Sequence, residues 1–188
     1  MKCIVAIFLL AATAVFAQEP AAREAIPNPL PIAAACSVTV TDLEGVIDNF
    51  AQPPDPTTQS PALQAYLASV GGPQSQYDTT GCDKKFGGSW RLCTCETCGA
   101  RLEVRVRRCG SSLDNNDGYH VGVAPFGPGR SAASGAVWQA GDPTEKTLVI
   151  NLTRDQLKVL CANKAQFLDL YIQDDTIVDW ARLTIQQP

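Results

Sequence analysis

Apolar and charged residues alternate without a break in the stretch RLEVRVR, which runs from Arg101 to Arg107. Successive side chains of a β-strand point to opposite faces of its sheet, so this pattern predicts a strand that buries Leu102, Val104 and Val106. Its charged residues then project from the other face. Shorter apolar or alternating runs predict further strands at CSVTVTDL, YHVGVA and TLVINL.

Turn sequences between these runs predict how the strands connect. The segment DNNDG at residues 114–118 contains the Asp-Gly pair that suits a tight turn, so YHVGVA is expected to return beside RLEVRVR. Near the end of the chain, FLDLYI and TIVDWARLTI flank the polar residues 173–175. This arrangement predicts an antiparallel hairpin that closes the domain.

Capping signals predict two short helices. Ser60 precedes a proline and a run of helix-compatible residues, which indicates a helix at residues 61–70. Thr153 is followed three residues later by Gln156, the pattern of a capping box, which indicates a second helix at residues 154–161. The proline-rich segment before Ser60 is expected to form a loop, because proline does not fit a helix interior or a central strand.

The pattern as a whole predicts roughly six to eight short strands with two short helices and many turns. Strands and helices do not alternate regularly, as they would in an α/β fold. The expected fold class is therefore mainly all-β, a disulfide-stapled antiparallel β-sandwich or jelly-roll-like domain with one or two short helices.

The first residues, MKCIVAIFLLAATAVFA, have a basic start, an apolar centre and small residues near position 17. These features predict a secretory signal peptide at residues 1–17, since the apolar stretch is shorter than the roughly 20 residues that cross a bilayer. Residues 18–35 are rich in proline and alanine and are interpreted as a flexible leader or propeptide. Residues 36–188 then form one extracellular domain of a secreted protein with no membrane span.

Cysteine usage agrees with export. Eight cysteines are present, and Cys3 would leave with the signal peptide. Disulfides are the expected state in an oxidising compartment, and an odd number leaves one thiol free or paired between chains. The disulfide candidates are Cys36, Cys82, Cys93, Cys95, Cys98, Cys109 and Cys161.

A zinc site is the alternative for Cys93, Cys95, Cys98 and Cys109, because four thiolates suit tetrahedral zinc. The usual paired C-x2-C spacing occurs only once here, at Cys95 and Cys98. A redox role for this pair would be expected beside a βαβ unit, which the pattern lacks. The sequence therefore predicts no metal ion and no cofactor.

Charge is distributed unevenly along the chain. The formal net charge is −4, yet residues 83–108 carry seven basic and three acidic side chains. An acidic protein is a poor general binder of nucleic acid, which requires many uncompensated phosphate contacts. A local basic surface can still meet an anionic partner.

The candidate binding residues lie in and near this basic segment. Arg101, Arg105 and Arg107 share one strand face, where guanidinium groups can hold sulfates, phosphates or uronic acids through forked hydrogen bonds. Trp90 is a candidate stacking platform for sugar rings, although tryptophan more often packs in a core. The alternative is an exposed strand whose arginines pair with neighbouring acids at little energetic gain.

No catalytic motif surrounds the single histidine, His120, so no catalytic residue is assigned and no enzymatic activity is expected. Carboxylates cluster at Asp114 and Asp117 and again at Asp174, Asp175 and Asp179, and such groups suit calcium, although the first group is read mainly as turn residues. Asn151 begins the sequon Asn-Leu-Thr and is the predicted N-glycosylation site.

These features predict a secreted, non-enzymatic binding or structural protein of the cell wall, matrix or cell surface. Its expected partners are extracellular polysaccharides, including anionic ones, or another secreted or cell-surface protein. Two alternatives stay open. One is a small glycan-active hydrolase that uses Asp174, Asp175 and Asp179. The other is an effector or enzyme inhibitor whose disulfide loop, residues 82–93, enters a partner's groove.

Overall fold

A computed structural model describes residues 38–51, 54–71, 76–78, 85–109, 117–173 and 175–187. The predicted signal peptide and leader, Cys36, Cys82, Asp114 and Asp174 lie outside these residues. The unit from Cys36 to Pro188 contains every described residue. Its helices are α1 Pro61–Ser69 and α2 Arg154–Ala162. Its strands are β1 Val38–Gly45, β2 Phe86–Arg91, β3 Gly99–Arg108, β4 Gly118–Gly122, β5 Ser131–Ala136, β6 Glu145–Thr153, β7 Phe167–Ile172 and β8 Thr176–Gln187.

The eight strands form two antiparallel sheets with the orders β1-β8-β3-β6 and β2-β7-β4-β5. Strand β1 pairs with β8, β2 with β7, β3 with β6, and β4 with β5. The chain therefore resembles one long hairpin that has been rolled into two facing sheets. This is the topology of a jelly roll, and it confirms the predicted all-β sandwich class.

Apolar side chains from both sheets meet between them. Leu102, Val104 and Val106 of β3 are all 0% exposed, as the alternation of RLEVRVR predicts. From the second sheet, Leu168 and Leu170 pack into the same cluster. Complete burial of one such side chain contributes about 1.5–3 kcal/mol to folding, so this interior is the main source of stability.

Both predicted strand connections are wrong. Strands β7 and β8 were expected to pair across residues 173–175, but they belong to different sheets. Strands β3 and β4, on either side of DNNDG, are likewise in opposite sheets. In a jelly roll most consecutive strands cross from one sheet to the other, and among the strands described here only β4 and β5 form a local hairpin. Turn residues indicate that the chain reverses, but they do not determine which sheet the next strand joins.

Both predicted helices are confirmed. Helix α1 begins after Ser60, whose Oγ accepts a hydrogen bond from the backbone N–H of Leu63 at 3.0 Å. Helix α2 begins after Thr153, which forms the predicted capping box with Gln156. No helix within the described ranges is long and apolar enough to cross a membrane.

Helix α1 covers the outer face of the second sheet. Leu63 and Leu67 pack there with Tyr171, and Phe126 from the β4–β5 connection joins them. The close approach depends on Gly87, because an added Cβ would lie only 2.7 Å from Leu67 Cδ1. One outer face of the sandwich is thereby closed by an apolar layer.

Candidate functional site

The outer face of the first sheet carries a cluster of arginines. Arg101, Arg105 and Arg107 project from β3, and Arg182 on β8 lies directly opposite Glu103. Glu145 of β6 borders the same surface and lies opposite Arg107. We call this surface, formed by the four arginines with Glu103 and Glu145, the arginine face. Its four guanidinium groups outnumber its two carboxylates, so it is locally cationic on an acidic chain.

At one end of the arginine face, two guanidinium groups share a single carboxylate. Arg101 Nη2 lies 3.2 Å from Glu103 Oε1, and Arg182 Nε lies 3.0 Å from Glu103 Oε2. Burial alone would raise the pKa of Glu103, but the hydrogen bonds from Arg101 and Arg182 outweigh it and hold that pKa below its usual value. The Arg101 side chain is still 49% exposed, and that of Arg182 39%. Both can therefore meet a ligand while Glu103 fixes their orientation.

At the other end of the arginine face, Arg105 and Arg107 make closer contacts with neighbouring side chains. Arg105 Nη2 lies 2.9 Å from Glu145 Oε2. The guanidinium of Arg107 lies 4.3 Å from the ring centroid of Phe50, a cation–π contact with a buried ring. These contacts make Arg105 and Arg107 less available than Arg101 and Arg182.

A depression of about 330 Å³ adjoins Arg101. It lies where Gly99, which has no side chain, is paired with Gln186 of β8 on one side and Thr153 of β6 on the other. Its volume is at the lower end of the range of about 300–1,000 Å³ found for ligand sites. Its lining residues are Gly99, Ala100, Arg101, Leu152, Thr184 and Gln186.

The cysteine-rich segment forms the wall at this end of the sheet. Cys98 donates its backbone N–H to the carbonyl of Gln186 at 2.8 Å, and Gln187 Nε2 donates to the carbonyl of Thr94 at 3.2 Å. A disulfide between Cys95 and Cys161 ties the segment to α2. The disulfide and these hydrogen bonds thus fix the connection between β2 and β3 at the end of the sheet where the depression lies.

The disulfide prediction is confirmed for the described cysteines. Cys93, Cys98 and Cys109 are also disulfide-bonded, and none of the cysteines described is free. The zinc alternative is therefore wrong, because its four thiolate ligands are all consumed in disulfides. Cys36 and Cys82 lie outside the described residues.

No protein-family model matches this chain, and no curated protein matches its sequence. The chemistry of the surfaces that the fold creates is therefore the guide to function. Among these surfaces, the arginine face combines exposed side chains, an excess of positive charge and a depression.

The binding role predicted for Trp90 is not supported by its position. Its side chain is 1% exposed and lies in the core between the two sheets, so no sugar ring can stack on it. Phe86 of the same strand is 3% exposed. Their burial also removes the contacts that the predicted inhibitor loop, residues 82–93, was expected to offer to a partner.

The second sheet brings Ser89, Asp169 and His120 onto its outer face, but their contacts are structural. Ser89 Oγ is buried, donates to Asp169 Oδ1 at 2.6 Å and accepts from the backbone N–H of Ser60 at 2.8 Å. The His120 ring stacks on Phe126 at 5.6 Å, and burial lowers its pKa. Because Ser89 is fully buried, its hydroxyl is not accessible to a substrate.

Asp175 and Asp179, the two described carboxylates of the hydrolase alternative, do not converge. Asp175 and Asp179 are four residues apart along an extended segment, which separates them by about 13 Å. Asp175 instead donates its backbone N–H to Asp117 Oδ1 at 3.2 Å. The third candidate, Asp174, lies outside the described residues.

Asp179 instead joins an acidic cluster with Asp48 and Asp78. It is the extra residue of a β-bulge, because Val178 and Trp180 oppose the adjacent residues Val106 and Arg105. One carboxylate oxygen of each of the three aspartates lies within 4.8 Å of the others, close enough for one cation to contact all three. This cluster is not evident from the sequence, because Asp48 and Asp78 are distant from Asp179 along the chain.

Burial and neighbouring carboxylates favour the protonated form of Asp78 in the acidic cluster. Burial, followed by repulsion from Asp179, Asp48 and Asp55, raises the pKa of Asp78 to about 7. Burial also raises the pKa of Asp179. Both side chains are only 1% exposed, so this pair offers no cleft for a glycosidic bond.

The shifted pKa of Asp78 predicts a pH dependence of stability. Below about pH 7 the folded protein holds a proton that the unfolded chain releases near its ordinary value of 3.8, so the free energy of unfolding should fall as the pH rises from about 4 to about 7. The substitution Asp78→Asn supplies a neutral donor at all pH values. We expect it to flatten this fall and to raise stability at pH 8 by about 1–3 kcal/mol, since one pKa unit corresponds to about 1.4 kcal/mol.

Urea unfolding of both proteins between pH 4 and pH 8 measures this effect. Asp155→Asn is the control, because Asp155 is exposed on α2 and paired with Lys158. It should leave the slope of stability against pH nearly unchanged. Parallel slopes for the wild type and Asp78→Asn would contradict the assignment.

Proposed function

We propose that this protein is a secreted, non-enzymatic binding protein that recognises anionic polysaccharide through the arginine face. The observation that carries the proposal is the pair Arg101 and Arg182, which Glu103 orients beside a depression of about 330 Å³. Guanidinium groups bind sulfates and carboxylates through two parallel hydrogen bonds. The depression has room for one sugar unit, and its rim residues Thr184 and Gln186 can hydrogen-bond to hydroxyl groups.

The placement of this surface suits an extended polymer. Arg101, Glu103, Arg105 and Arg107 occupy alternate positions of strand β3, so the row extends over about 20 Å of a rigid sheet. A surface fixed by two sheets and disulfides loses little conformational entropy on binding. Lectin domains are among the proteins built on jelly rolls, a likeness of fold that favours the proposal without assigning it.

Secretion is part of the proposal. It is supported by the signal-like residues 1–17 and by the disulfides of Cys93, Cys95, Cys98, Cys109 and Cys161. Disulfides persist in oxidising compartments and are rare where thiols are kept reduced.

Charge reversal at Arg101 tests the proposed site. We expect Arg101→Glu to weaken binding to heparin or polygalacturonate about tenfold or more, because a hydrogen bond to a charged group contributes about 1.5–3 kcal/mol. Arg101→Lys should give an intermediate loss of affinity, since lysine keeps the charge but cannot donate the two parallel hydrogen bonds of a guanidinium group. Protein from a host without N-glycosylation is applied to each immobilised polymer, and the eluting salt concentration is measured.

The matched control is Arg91→Glu, which makes the same charge change on β2 of the other sheet. It should elute close to the wild type. Equal losses for Arg91→Glu and Arg101→Glu would indicate attraction by net charge alone. Wild-type protein that passes through every anionic matrix would end the proposal.

A further inference from the structure

We propose that an N-linked glycan on Asn151 covers the depression and controls access of the ligand to the Arg101 end of the arginine face. The inference rests on the function proposed above for that face. Asn151 lies directly opposite Arg101 in the pairing of β6 with β3. Opposite side chains on one face of an antiparallel pair have Cβ atoms about 4.5–5.5 Å apart, so the first sugar would sit beside the guanidinium.

The position of Asn151 favours attachment of a glycan. The residue is exposed and lies on β6, which is an edge strand in the described sheet. Its neighbours in sequence, Ile150 and Leu152, are 4% and 3% exposed and point into the core. The alternation of the strand therefore directs Asn151 outward, on the same side as Arg101 and the depression.

The rest of the sequon is held by the fold. Thr153 is the N-cap of α2, where its Oγ1 accepts from the backbone N–H of Gln156 at 3.3 Å. The sequon thus lies at a rigid junction between β6 and α2. A glycan attached to Asn151 would start from a fixed position next to Leu152, which lines the depression with Arg101.

Coverage by the glycan should be local. Arg105 and Arg107 lie about 13 Å and 20 Å from Arg101 along β3, beyond the reach of the first sugars. The glycan would shield Arg101, Thr184 and Gln186 while leaving the Arg105 end open. Ligand affinity should therefore be reduced rather than abolished, and removal of the glycan should restore it.

The test compares full-length protein secreted from a eukaryotic host with its Asn151→Gln variant. Intact mass shows whether Asn151 carries a glycan. The rate of Arg101 modification by phenylglyoxal, followed by peptide mapping, measures coverage without any ligand, and Arg91 on β2 is the internal reference. We expect Arg101 to react at least threefold faster in Asn151→Gln, Arg91 to react equally in both, and Asn151→Gln to bind heparin more tightly.

Thr153→Ser is the matched control, because serine keeps both the sequon and the cap of α2. It should behave like the wild type. Trimming the wild-type glycan with an endoglycosidase repeats the comparison without any substitution at Asn151.

The possible results separate this inference from the proposed function. An unmodified Asn151 in the secreted protein, or equal Arg101 reactivity with and without the glycan, would overturn the inference. Equal heparin affinity of the glycosylated and unglycosylated forms would also overturn it, even where Arg101→Glu weakens binding. If Arg101 is shielded but Asn151→Gln binds no anionic polymer, the coverage stands and the proposed function fails.

Discussion

Replacing Cys95 and Cys161 together with serine should lower the free energy of unfolding by about 2–4 kcal/mol. The disulfide joins residues that are 66 positions apart, so its loss frees a long loop in the unfolded chain. The folded state is affected as well, because the crosslink holds the segment that contacts Gln186 and Gln187 at the end of β8. Urea unfolding without reductant measures the change.

The same double variant should bind anionic polymer more weakly, although every arginine of the face is still present. Loss of the crosslink frees the segment that hydrogen-bonds to Gln186, one of the residues that line the depression. Glu96→Ala is the control, because Glu96 is an exposed residue of the same segment. That change should stay within about 0.5 kcal/mol of the wild type. A double variant as stable as Glu96→Ala would mean that other contacts hold the segment.

The parts of this fold that could be predicted from sequence depend on local patterns. The strict alternation of RLEVRVR specifies a strand with one buried face, whatever its partners are. Ser60 and Thr153 cap the two helices through hydrogen bonds made within three residues. These signals act over a few positions and are unaffected by topology.

Strand pairing could not be predicted in the same way, because it depends on contacts between distant segments. One sign of the true arrangement was present in TIVDWA, where apolar residues occupy positions of both parities. Such a run suits a strand that is buried on both faces, and residues 176–181 of β8 are all buried. A strand of an isolated hairpin at the edge of the domain would have shown alternating apolar and polar residues.

The candidate site was predictable only in part. Arg101, Arg105 and Arg107 share a face because they share one strand, which the spacing alone reveals. Arg182 and the depression could not be inferred, since they require the register of β8 against β3. Trp90 lies in the core, the commoner position for a tryptophan, and not on a binding surface. The two aromatic residues of the stretch FGGSWR, Phe86 and Trp90, do not by themselves show which side of their strand is covered.

The two outer faces of the sandwich differ in a way that bears on function. The face of the second sheet is closed by α1 and by Phe126, whereas exposed side chains line the first sheet, with Val149 40% and Leu43 42% exposed. The closed face depends on buried hydrogen bonds. Asp169 Oδ1 accepts from Ser89 Oγ at 2.6 Å, and its Oδ2 accepts from the backbone N–H of Ala124 at 2.9 Å.

Asp169→Ala should therefore lower the free energy of unfolding by about 3–5 kcal/mol, because each buried donor left without a partner costs about 1–3 kcal/mol. Ser89 Oγ also accepts from the backbone N–H of Ser60, so the start of α1 should loosen as well. Urea unfolding gives the total loss. Hydrogen exchange at the amides of Ala124 and Leu63 locates it.

Asp169→Asn is the matched variant, since its amide keeps the shape and one acceptor oxygen, and it should lose about 1–2 kcal/mol. Equal losses for the two variants would show that the carboxyl oxygens do not hold the closed face.

Binding of anionic polymer to Asp169→Asn tests separately which face of the sandwich carries the ligand site. Asp169 lies on the outer face of β7, across the sandwich from Arg101, so folded Asp169→Asn should retain wild-type affinity. Loss of binding in that stable variant would place the ligand on the helix-covered sheet instead of on the arginine face.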